Sequence, residues 1–534
     1  MPSEIYKVFI PSAGLGNRLK GITKSFNKAL VDINNKPCIS YIIEKFPDNI
    51  EFVIAIGYES ISLKEFLLSA YPKKKFKFVN VDKYSGSGSG LGLTLYSAKK
   101  YLNCPFIFCA NDCIVIDTIP SLNQNWIGGS FVSNYGDYRS LDYDSNNQLK
   151  SILPKNYHKK SENICAYIGL SGIKDYKSFW KNADITNREF VDIGESFLIN
   201  RMKQFKVINF QWFDTGTIER LSITRDYFEK NSNKKYSILE KENEKIFFVG
   251  SRVIKISKNQ DFISNRIKRS KYLKGFVPKV VYEGKYVYAY KYIEGKTFSN
   301  SNHNKDFNNL LIHLDKFWKK TLLSKPEYSK FYSSCYSFYK VKTDERVKEF
   351  LKKNEILDSP TIINGIKTPK ISVLLKKIDW KLLSMGIPVR FHGDLHFENI
   401  IHTIHDKFVF LDHRQSFENS LKIGDIYYDF AKLLHGMIIS HDIIDNNYFE
   451  VSTNNFNTEV NFNFHIKYSN KNFDDIFLKW LVEKGYNLLK VKILTAIIFI
   501  NISPLHHYPY NKLLFYLGKL MLYDYTSNKN SFVK

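Results

Sequence analysis

Two stretches of this sequence concentrate residue types that do chemistry. The first, "PSAGLGNRLKG" (11–21), places glycines at 14 and 16 and a cation at Arg18 between a short apolar run and a helical pattern. Glycines at such a turn let backbone N–H groups approach a phosphate closely, and an arginine neutralises it. Leu19 stands at the third glycine position of a dinucleotide fingerprint, and no Gly-Lys-Ser/Thr follows as in a P-loop, so neither motif applies. The second, "FHGDLHFENI" (391–400), packs two histidines, two acids and an asparagine into one short segment.

That second stretch admits two chemistries. His392 and His396, at i and i+4, would share a helix face as in H-E-x-x-H zinc sites. However, Gly393 and Asp394 replace the glutamate-containing turn, and no third ligand follows at a usual spacing. A phosphoryl-transfer loop fits better. It needs an acid that accepts the substrate hydroxyl proton, an asparagine about five residues later on Mg²⁺, and a downstream strand ending in a metal-binding aspartate. Asp394, Asn399 and Asp412, the last in "KFVFLDHRQ", occur in that order. Upstream, Lys255 in "SRVIKIS" lies on a strand pattern where it could hold the α- and β-phosphates of ATP. The histidines are then structural.

The surrounding elements must position these groups. From Tyr6 to about Phe228 short apolar runs such as "KVFIPSA", "EFVIAIGY" and "PFIFCA" alternate with amphipathic segments, which predicts a mostly parallel, Rossmann-like α/β sheet built from βαβ units. Residues 229–237, "EKNSNKKYS", are polar and aperiodic and read as a linker. Alternating strands follow to about 298, and the pattern is mainly helical from 299 to 534. A β lobe followed by a helical lobe predicts a bilobal, kinase-like α+β domain over 238–534, after an α/β domain over 1–228.

Composition sets the outer limits. A chain of 534 residues exceeds one ordinary core, and such a length suggests roughly two to four domains. With 44% hydrophobic and 25% charged residues it reads as a globular protein. The formal charge of +25 is spread along the whole length, with neither a clustered basic face nor a recognised nucleic-acid module, so polyanionic small substrates are its expected partners and nucleic acid is not. Six cysteines without a C-x-x-C pair read as free thiols in a reducing compartment. The N-terminal "MPSEIYKVFIPSAG" shows no basic-then-apolar leader, and "ILTAIIFINI" (493–502) is short for a membrane span. The expectation is a cytoplasmic protein without membrane insertion. A homo-oligomer is compatible with all of this.

"SFNKALVDINNKPCISYII" (25–43) adds Lys28 and a following Lys-Pro. With these residues the chain resembles the sugar-phosphate and alcohol-phosphate nucleotidyltransferases, among which are phosphocholine cytidylyltransferases. The resemblance continues in order across about 220 residues. "YSGSGSGLGLTLYSAKKYL" (84–102) matches the second nucleotide-contacting turn, including Ser87 and Gly88. "PFIFCANDCIV" (105–115) matches the strand ending in a metal-binding aspartate, Asp112. "FQWFDTGTIERLSITRDYF" (210–228) matches the closing segment with the second metal aspartate, Asp214.

The resemblance implies Mg²⁺ between these two carboxylates, with Gly14, Gly16, Arg18, Ser87 and Gly88 on the nucleotide. Arg18 and Lys28 would offset the charge of two anions brought together as a phosphomonoester attacks the α-phosphorus of an NTP. Lys155, in "SILPKN", sits where the family often places an acceptor-phosphate lysine. Glu195, in "DIGESFLIN", could bind the acceptor or cap a helix.

"FHGDLHFENI", "FLDHR" and "GDIYYDFAKLLHG" (424–436) together resemble the aminoglycoside phosphotransferase and choline kinase family of small-molecule kinases. This implies Asp394 as proton acceptor, Asn399 and Asp412 on Mg²⁺, Asp425 and Asp429 fixing the loop, and Tyr290 and Tyr292 in "YVYAYKYIEGKTF" near adenine. The family's glutamate partner for Lys255 is not evident in "SNRIKRSKYLKGF", and His413 and Arg414 replace the aromatic-acidic pair that choline kinases carry. The joint expectation is a bifunctional enzyme that phosphorylates a choline- or ethanolamine-like alcohol with ATP and couples the product to CTP. One alternative is a sugar or polyol kinase paired with a sugar-phosphate nucleotidyltransferase. The other is a nucleotidyltransferase with a non-catalytic ATP-sensing module. Aromatics are plentiful for a cation cage, Trp318, Trp380, Phe417 and Tyr427 among them, and core packing is the simpler role for most.

Overall fold

In the computed structural model the described residues are 6–157, 163–202, 204–232, 243–300, 303–440, 442–468 and 472–527. Most of the expected linker, from 233 onward, lies outside them, and Glu229 and Lys230 belong to the helix Ile218–Lys230. The chain divides into two compact units. One comprises Met1–Ile263 with Val281–Tyr290, the other Ser264–Val280 with Lys291–Lys534.

The N-terminal unit is built on the expected mostly parallel sheet. Lys75–Asn80, Glu51–Ile56, Lys7–Ser12 and Phe106–Cys109 lie side by side and parallel, in the spatial order 3-2-1-4 of a Rossmann-type half. Ile164–Ile173 then runs antiparallel to Phe106–Cys109 and carries the sheet on to Ser140–Tyr143 and Leu149–Leu153. The strands read as continuous apolar runs because both faces are covered. Val8, Ile10, Phe52, Ile54 and Ile107 enter one core with Leu63, Phe66 and Leu67. The alternating Phe9, Val53, Ala55, Phe106 and Phe108 enter another with Leu95, Phe179 and Phe190.

The first of these cores does not stop at the α/β sheet. It continues through Phe247, Val249, Ile254, Ile256, Val287 and Ala289 of a four-stranded sheet ordered Glu244–Val249, Arg252–Ser257, Val287–Lys291, Val280–Glu283. The helix Ser60–Ala70 is the shared surface. Phe66 meets Phe247 edge-on at 5.6 Å, and the Glu65 carboxylate accepts the backbone N–H groups of Lys285 and Tyr286, both at 2.8 Å. Arg252 donates to the Ser69 carbonyl at 2.6 Å, and Lys258 pairs with Glu59. By packing, most of the small sheet that sequence pattern assigns to 238–298 therefore groups with the N-terminal unit, while Ser264–Val280 and Lys291 onward group with the other.

The C-terminal unit is mainly helical. Leu488–Ile502 packs between Ile426–Ile438 and Tyr510–Ser527. Its apolar window, Leu488–Leu505, is longer than the 493–502 run and reaches membrane-spanning length, but 67% of that window is buried within the protein. The hairpin Ile400–Thr403/Phe408–Phe410 pairs Ile400 with Phe410, so the loop before it and the residues after it are neighbours. Trp318, Trp380, Phe417 and Tyr427 are all buried in the core of this unit. All six cysteines are free thiols, and five are buried.

Candidate functional site

Parallel strands present their C-terminal ends on one edge, and the loops leaving those ends build the crevice of such sheets. Here the loops after Ser12, Asn80 and Cys109 border a cavity of about 550 Å³. Gly14, Gly16, Arg18, Lys28, Asp112, Lys155, Glu195 and Asp214 all line it. Ser87 and Gly88 do not. Their turn folds back on itself, with Ser89 donating from both its N–H and its hydroxyl to the Gly86 carbonyl, and it is Tyr84, Ser89 and Gly90 that face the cavity.

The glycine loop is shaped by close packing. Gly16 has φ +71, and a Cβ there would press on Thr23 and Lys28 at 3.1 and 3.2 Å, whereas one on Gly14 would meet nothing within 4 Å. Lys28 is held by a neighbour that the sequence pattern does not single out. Fully buried Asn27 donates to the carbonyls of Ser12 (2.9 Å) and Tyr58 (2.6 Å), while its oxygen caps the turn Lys28–Leu30 at the Ala29 N–H. This ties the lysine's turn to the ends of two segments of the crevice, and Lys28 pairs directly with Asp112.

Strand register explains how residues 102 apart in the chain meet. Trp212–Asp214 runs antiparallel to Cys113–Val115 with Asp214 opposite Cys113, so the two aspartates sit at adjacent ends of one strand pair. Asp214 accepts the Gly216 N–H through Oδ1 at 2.7 Å, an Asx turn. Its Oδ2 accepts from Arg220 (2.9 Å) and from the Tyr138 hydroxyl (3.0 Å). A Cβ on Gly216 would lie 2.9 Å from Asp214 Oδ1, 3.3 Å from Asp112 Oδ2 and 3.6 Å from Arg18 Nη2. Both carboxylates thus face one small space that only a glycine leaves open. Burial alone would raise the Asp112 carboxyl, but the Lys28 ammonium and then the Arg18 guanidinium hold it below the ordinary carboxylate range.

Two hard oxygen donors facing one gap suit Mg²⁺, which binds through one or two carboxylates and takes its remaining ligands from water and phosphates.

The same cavity also gathers cations. Lys155, at the rim, titrates below its ordinary range because of partial burial and then of Arg18, Arg139 and Arg220. Like charges held this close form a site for an anion. Arg220 also grips Asp137 at 2.6 Å and lies over the Tyr138 ring at 4.5 Å, so it fastens the 135–139 loop to the Asp214 strand. Arg139, Arg220 and Tyr138 carry no motif. The one signal is that Thr217 caps Ile218–Lys230, which sets Arg220 in the first turn and turns it back toward Asp214. Glu195, 3% exposed, accepts the Tyr167 hydroxyl through Oε1 at 3.0 Å, and its Oε2 has no hydrogen-bond partner. Burial pushes its carboxyl up to about 7.

Within the C-terminal unit the "FHGDLHFENI" loop is held from behind. Asp429 accepts the backbone N–H groups of His392 (2.7 Å) and Gly393 (2.6 Å) and the Trp318 indole (3.0 Å). Asp425 accepts from Ile387 N–H and the Tyr339 hydroxyl. Both acids are fully buried and shape the loop. His392 donates through Nε2 to the Leu411 carbonyl and accepts from Asp394 N–H through Nδ1, a neutral ring whose pKa burial lowers to about 3. His396 pairs with Glu398 at 2.8 Å. Neither histidine is arranged as a metal ligand.

Asp394 Oδ1 lies 2.9 Å from the Lys432 ammonium. Burial opposes its ionisation, and Lys432, then His396, override it and hold the carboxylate well below its ordinary range. Asn399 donates its amide N–H to the Asp394 carbonyl at 2.9 Å, which leaves its oxygen as the atom for a cation. Leu411 N–H bonds the Asn399 carbonyl at 2.7 Å, so Asp412 follows directly beside Asn399. Arg266 approaches Asp412 at 3.6 Å. Lys255 and Tyr290 lie on strands of the N-terminal unit, each 8% exposed, while Tyr292 belongs to the C-terminal unit.

No family model matches the chain. It is 29% identical over 221 residues to the bifunctional sugar-1-phosphate nucleotidylyltransferase/acetyltransferase of Sulfurisphaera tokodaii, covering 39% of this chain and 52% of that one. It is 26% identical over 164 residues to the bifunctional protein GlmU of Methanococcus maripaludis, covering 30% and 38%. The chain thus spans about half, or less, of the curated relatives it matches. Among solved structures, the CTP:phosphocholine cytidylyltransferase of Streptococcus pneumoniae aligns with 42% of this chain and 99% of its own, at 18% identity and a TM-score of 0.36. The N-terminal region of this chain resembles the sugar-phosphate nucleotidyltransferases.

Proposed function

We propose that the N-terminal unit transfers a nucleoside monophosphate from an NTP, CTP in the leading version, to a small phosphomonoester and releases pyrophosphate. The observation that carries this reading is the convergence of Asp112, Asp214 and Arg18 on the open space at Gly216, in a cavity also lined by Lys155, Arg139 and Arg220. The glycine loop would take the NTP phosphates, and Arg18 and Lys28 would offset charge on the α-phosphate and the departing pyrophosphate. Lys155, with Arg139 and Arg220, would hold the acceptor phosphate for in-line attack. Mg²⁺ held by Asp112 and Asp214 would supply Lewis-acid stabilisation of charge on the α-phosphate.

We infer that the C-terminal unit makes that phosphomonoester from an alcohol and ATP. What supports this is the arrangement of Asp394 as an ionised, loop-fixed carboxylate with Asn399 and Asp412 adjacent across the hairpin. Asp394 would accept the hydroxyl proton, and Mg²⁺ on Asn399 and Asp412 would neutralise the ATP phosphates.

The test is incubation of the full chain with Mg²⁺, ATP, each NTP in turn, and matched panels of alcohols, sugars and their phosphates, followed by mass spectrometry. Nucleotide-linked products from pre-phosphorylated acceptors alone support the first activity. Products from free alcohols that also require ATP support both. Pyrophosphate release with no acceptor in the panel overturns the first, and ATP binding without acceptor phosphorylation overturns the second.

A further inference from the structure

A choline-like acceptor needs an aromatic or acidic cage, and the four aromatics singled out from the sequence for one are spent in the core. Trp318, Trp380, Phe417 and Tyr427 are each 7% exposed or less. Trp318 is already donating to Asp429, and Tyr427 already lies under the Lys490 ammonium at 4.3 Å. The surroundings of Asp394 have the opposite character.

The long helix Lys325–Lys353 is interrupted by one wide π-helical turn, Ser337–Val341. Such turns reorient side chains and recur at functional sites. This one presents Phe338, 3% exposed, as a platform for two cations. The Lys342 ammonium lies 4.3 Å and the Arg414 guanidinium 4.8 Å from the same ring centroid. Arg414 is held against the loop itself. Its N–H donates to the His392 carbonyl at 2.9 Å, and its stem lies so close to Gly393 that a Cβ there would come within 2.7 Å of Arg414 Cβ. The third cation, Lys432, is the one paired with Asp394.

Among the described residues no carboxylate lies within ion-pair distance of Lys342 or Arg414. Arg346 takes Glu349, and Glu345 and Glu418 line the same groove as Lys342 without pairing with it. Burial, then Arg414, Lys432 and Arg346, pull the Lys342 ammonium down to about 7, with Glu418 opposing. Cations gathered around one aromatic ring repel one another until an anion joins them.

We propose that the alcohol phosphorylated at Asp394 carries an anionic group of its own, a phosphate or carboxylate, held by Lys342 and Arg414 over Phe338. This rests on the kinase reading above and narrows its acceptor to a hydroxy acid or sugar acid, or to an alcohol or sugar already bearing one phosphate. The acceptor hydroxyl oxygen bonds to the γ-phosphorus of ATP as the bond to the β-bridging oxygen breaks. ADP leaves, and the hydroxyl proton passes to Asp394 and on to solvent. The anionic group takes no part in bond exchange. It fixes which hydroxyl faces the carboxylate.

The test measures ADP formation by the full chain with matched acceptors: glycerol, glycerate and glycerol 3-phosphate; a hexose, its uronic acid and its 6-phosphate; choline and ethanolamine. Turnover confined to, or at least tenfold better in kcat/KM for, the anionic member of a pair supports the proposal. The carboxylate and phosphate arms show which anion is recognised. Lys342→Gln should raise KM for that acceptor about ten- to a hundredfold, the usual worth of a charge-assisted contact, with KM for ATP held and Lys342→Arg recovering most of the loss. Efficient turnover of choline, ethanolamine or the neutral alcohols in preference to the anionic ones overturns the proposal and leaves the kinase reading intact. ATP binding with no acceptor of any charge phosphorylated overturns both.

Discussion

Asp112 and Asp214 are placed side by side by a single strand register, Asp214 opposite Cys113, and their carboxylates close on the space left by the missing side chain of Gly216. A methyl group at that position would come 2.9 Å from one carboxylate oxygen and 3.3 Å from the other. Gly216→Ala should therefore cut nucleotidyl transfer by about a hundredfold or more, the scale on which losing a positioned electrostatic group acts. The melting temperature should move little. Product formation by mass spectrometry and a thermal melt on the same sample separate the two effects, and an active variant would show that the gap is not the metal position.

Glu195 offers a test by pH. Its carboxyl is raised by burial from its ordinary value of 4.5 to about 7. Below the unfolded value it is protonated in both states. Between the two values the unfolded chain releases the proton while the folded one keeps it, so stability falls as pH rises through that window. Glu195→Gln keeps an oxygen for Tyr167 and cannot ionise. It should gain on the wild type by up to about 3 kcal/mol between pH 4.5 and 8, read as a diverging denaturant midpoint. Parallel curves across that range would refute the assignment.

Phe66 bridges the two sheets of the N-terminal unit within one core. Phe66→Ala should cost about 3–5 kcal/mol. Because the small sheet shares that core, fluorescence and far-ultraviolet signals from this unit should lose stability together. A separate early transition of the small sheet alone would contradict the shared core.

Asp429 holds the loop through three donors without reaching the reacting atoms. Asp429→Asn turns an amide donor toward donors already there, and an unsatisfied buried group costs about 1–3 kcal/mol. Phosphoryl transfer should fall through kcat, with KM for ATP nearly unchanged. Asp394→Asn should abolish it in a protein that melts as the wild type does within a few degrees. A change in ATP affinity alone, with kcat intact, would argue against a positioning role for Asp429.

Local pattern carried much of the candidate site. Glycines 14 and 16, Arg18, Lys28, Asp112 and Asp214 lie in short strand-turn segments whose character shows in a few consecutive residues, and the structure gathers all of them around one cavity. The short apolar runs "KVFIPS" and "EFVIAI" were likewise legible as strands of an α/β sheet. Asn27, Arg139, Arg220 and Tyr138 were not legible, because each acts through a partner distant in the chain. Ser87 and Gly88 were legible as a glycine turn, but the turn's own hydrogen bonds direct Ser89 and Gly90 to the cavity instead.

The sequence by itself determined the order of the elements and the residue types at the two loops, because hydrophobic period and turn chemistry are local properties. Tertiary structure alone decided three further things. The small sheet packs with the N-terminal unit, since Phe66 and Glu65 of one helix satisfy both its apolar face and its backbone donors. Trp318, Trp380, Phe417 and Tyr427 are core rather than cage, since burial depends on neighbours that only folding supplies. Lys342 and Arg414, 72 residues apart, share the ring of Phe338, and charges brought together by packing have no signature in the order of residues along the chain.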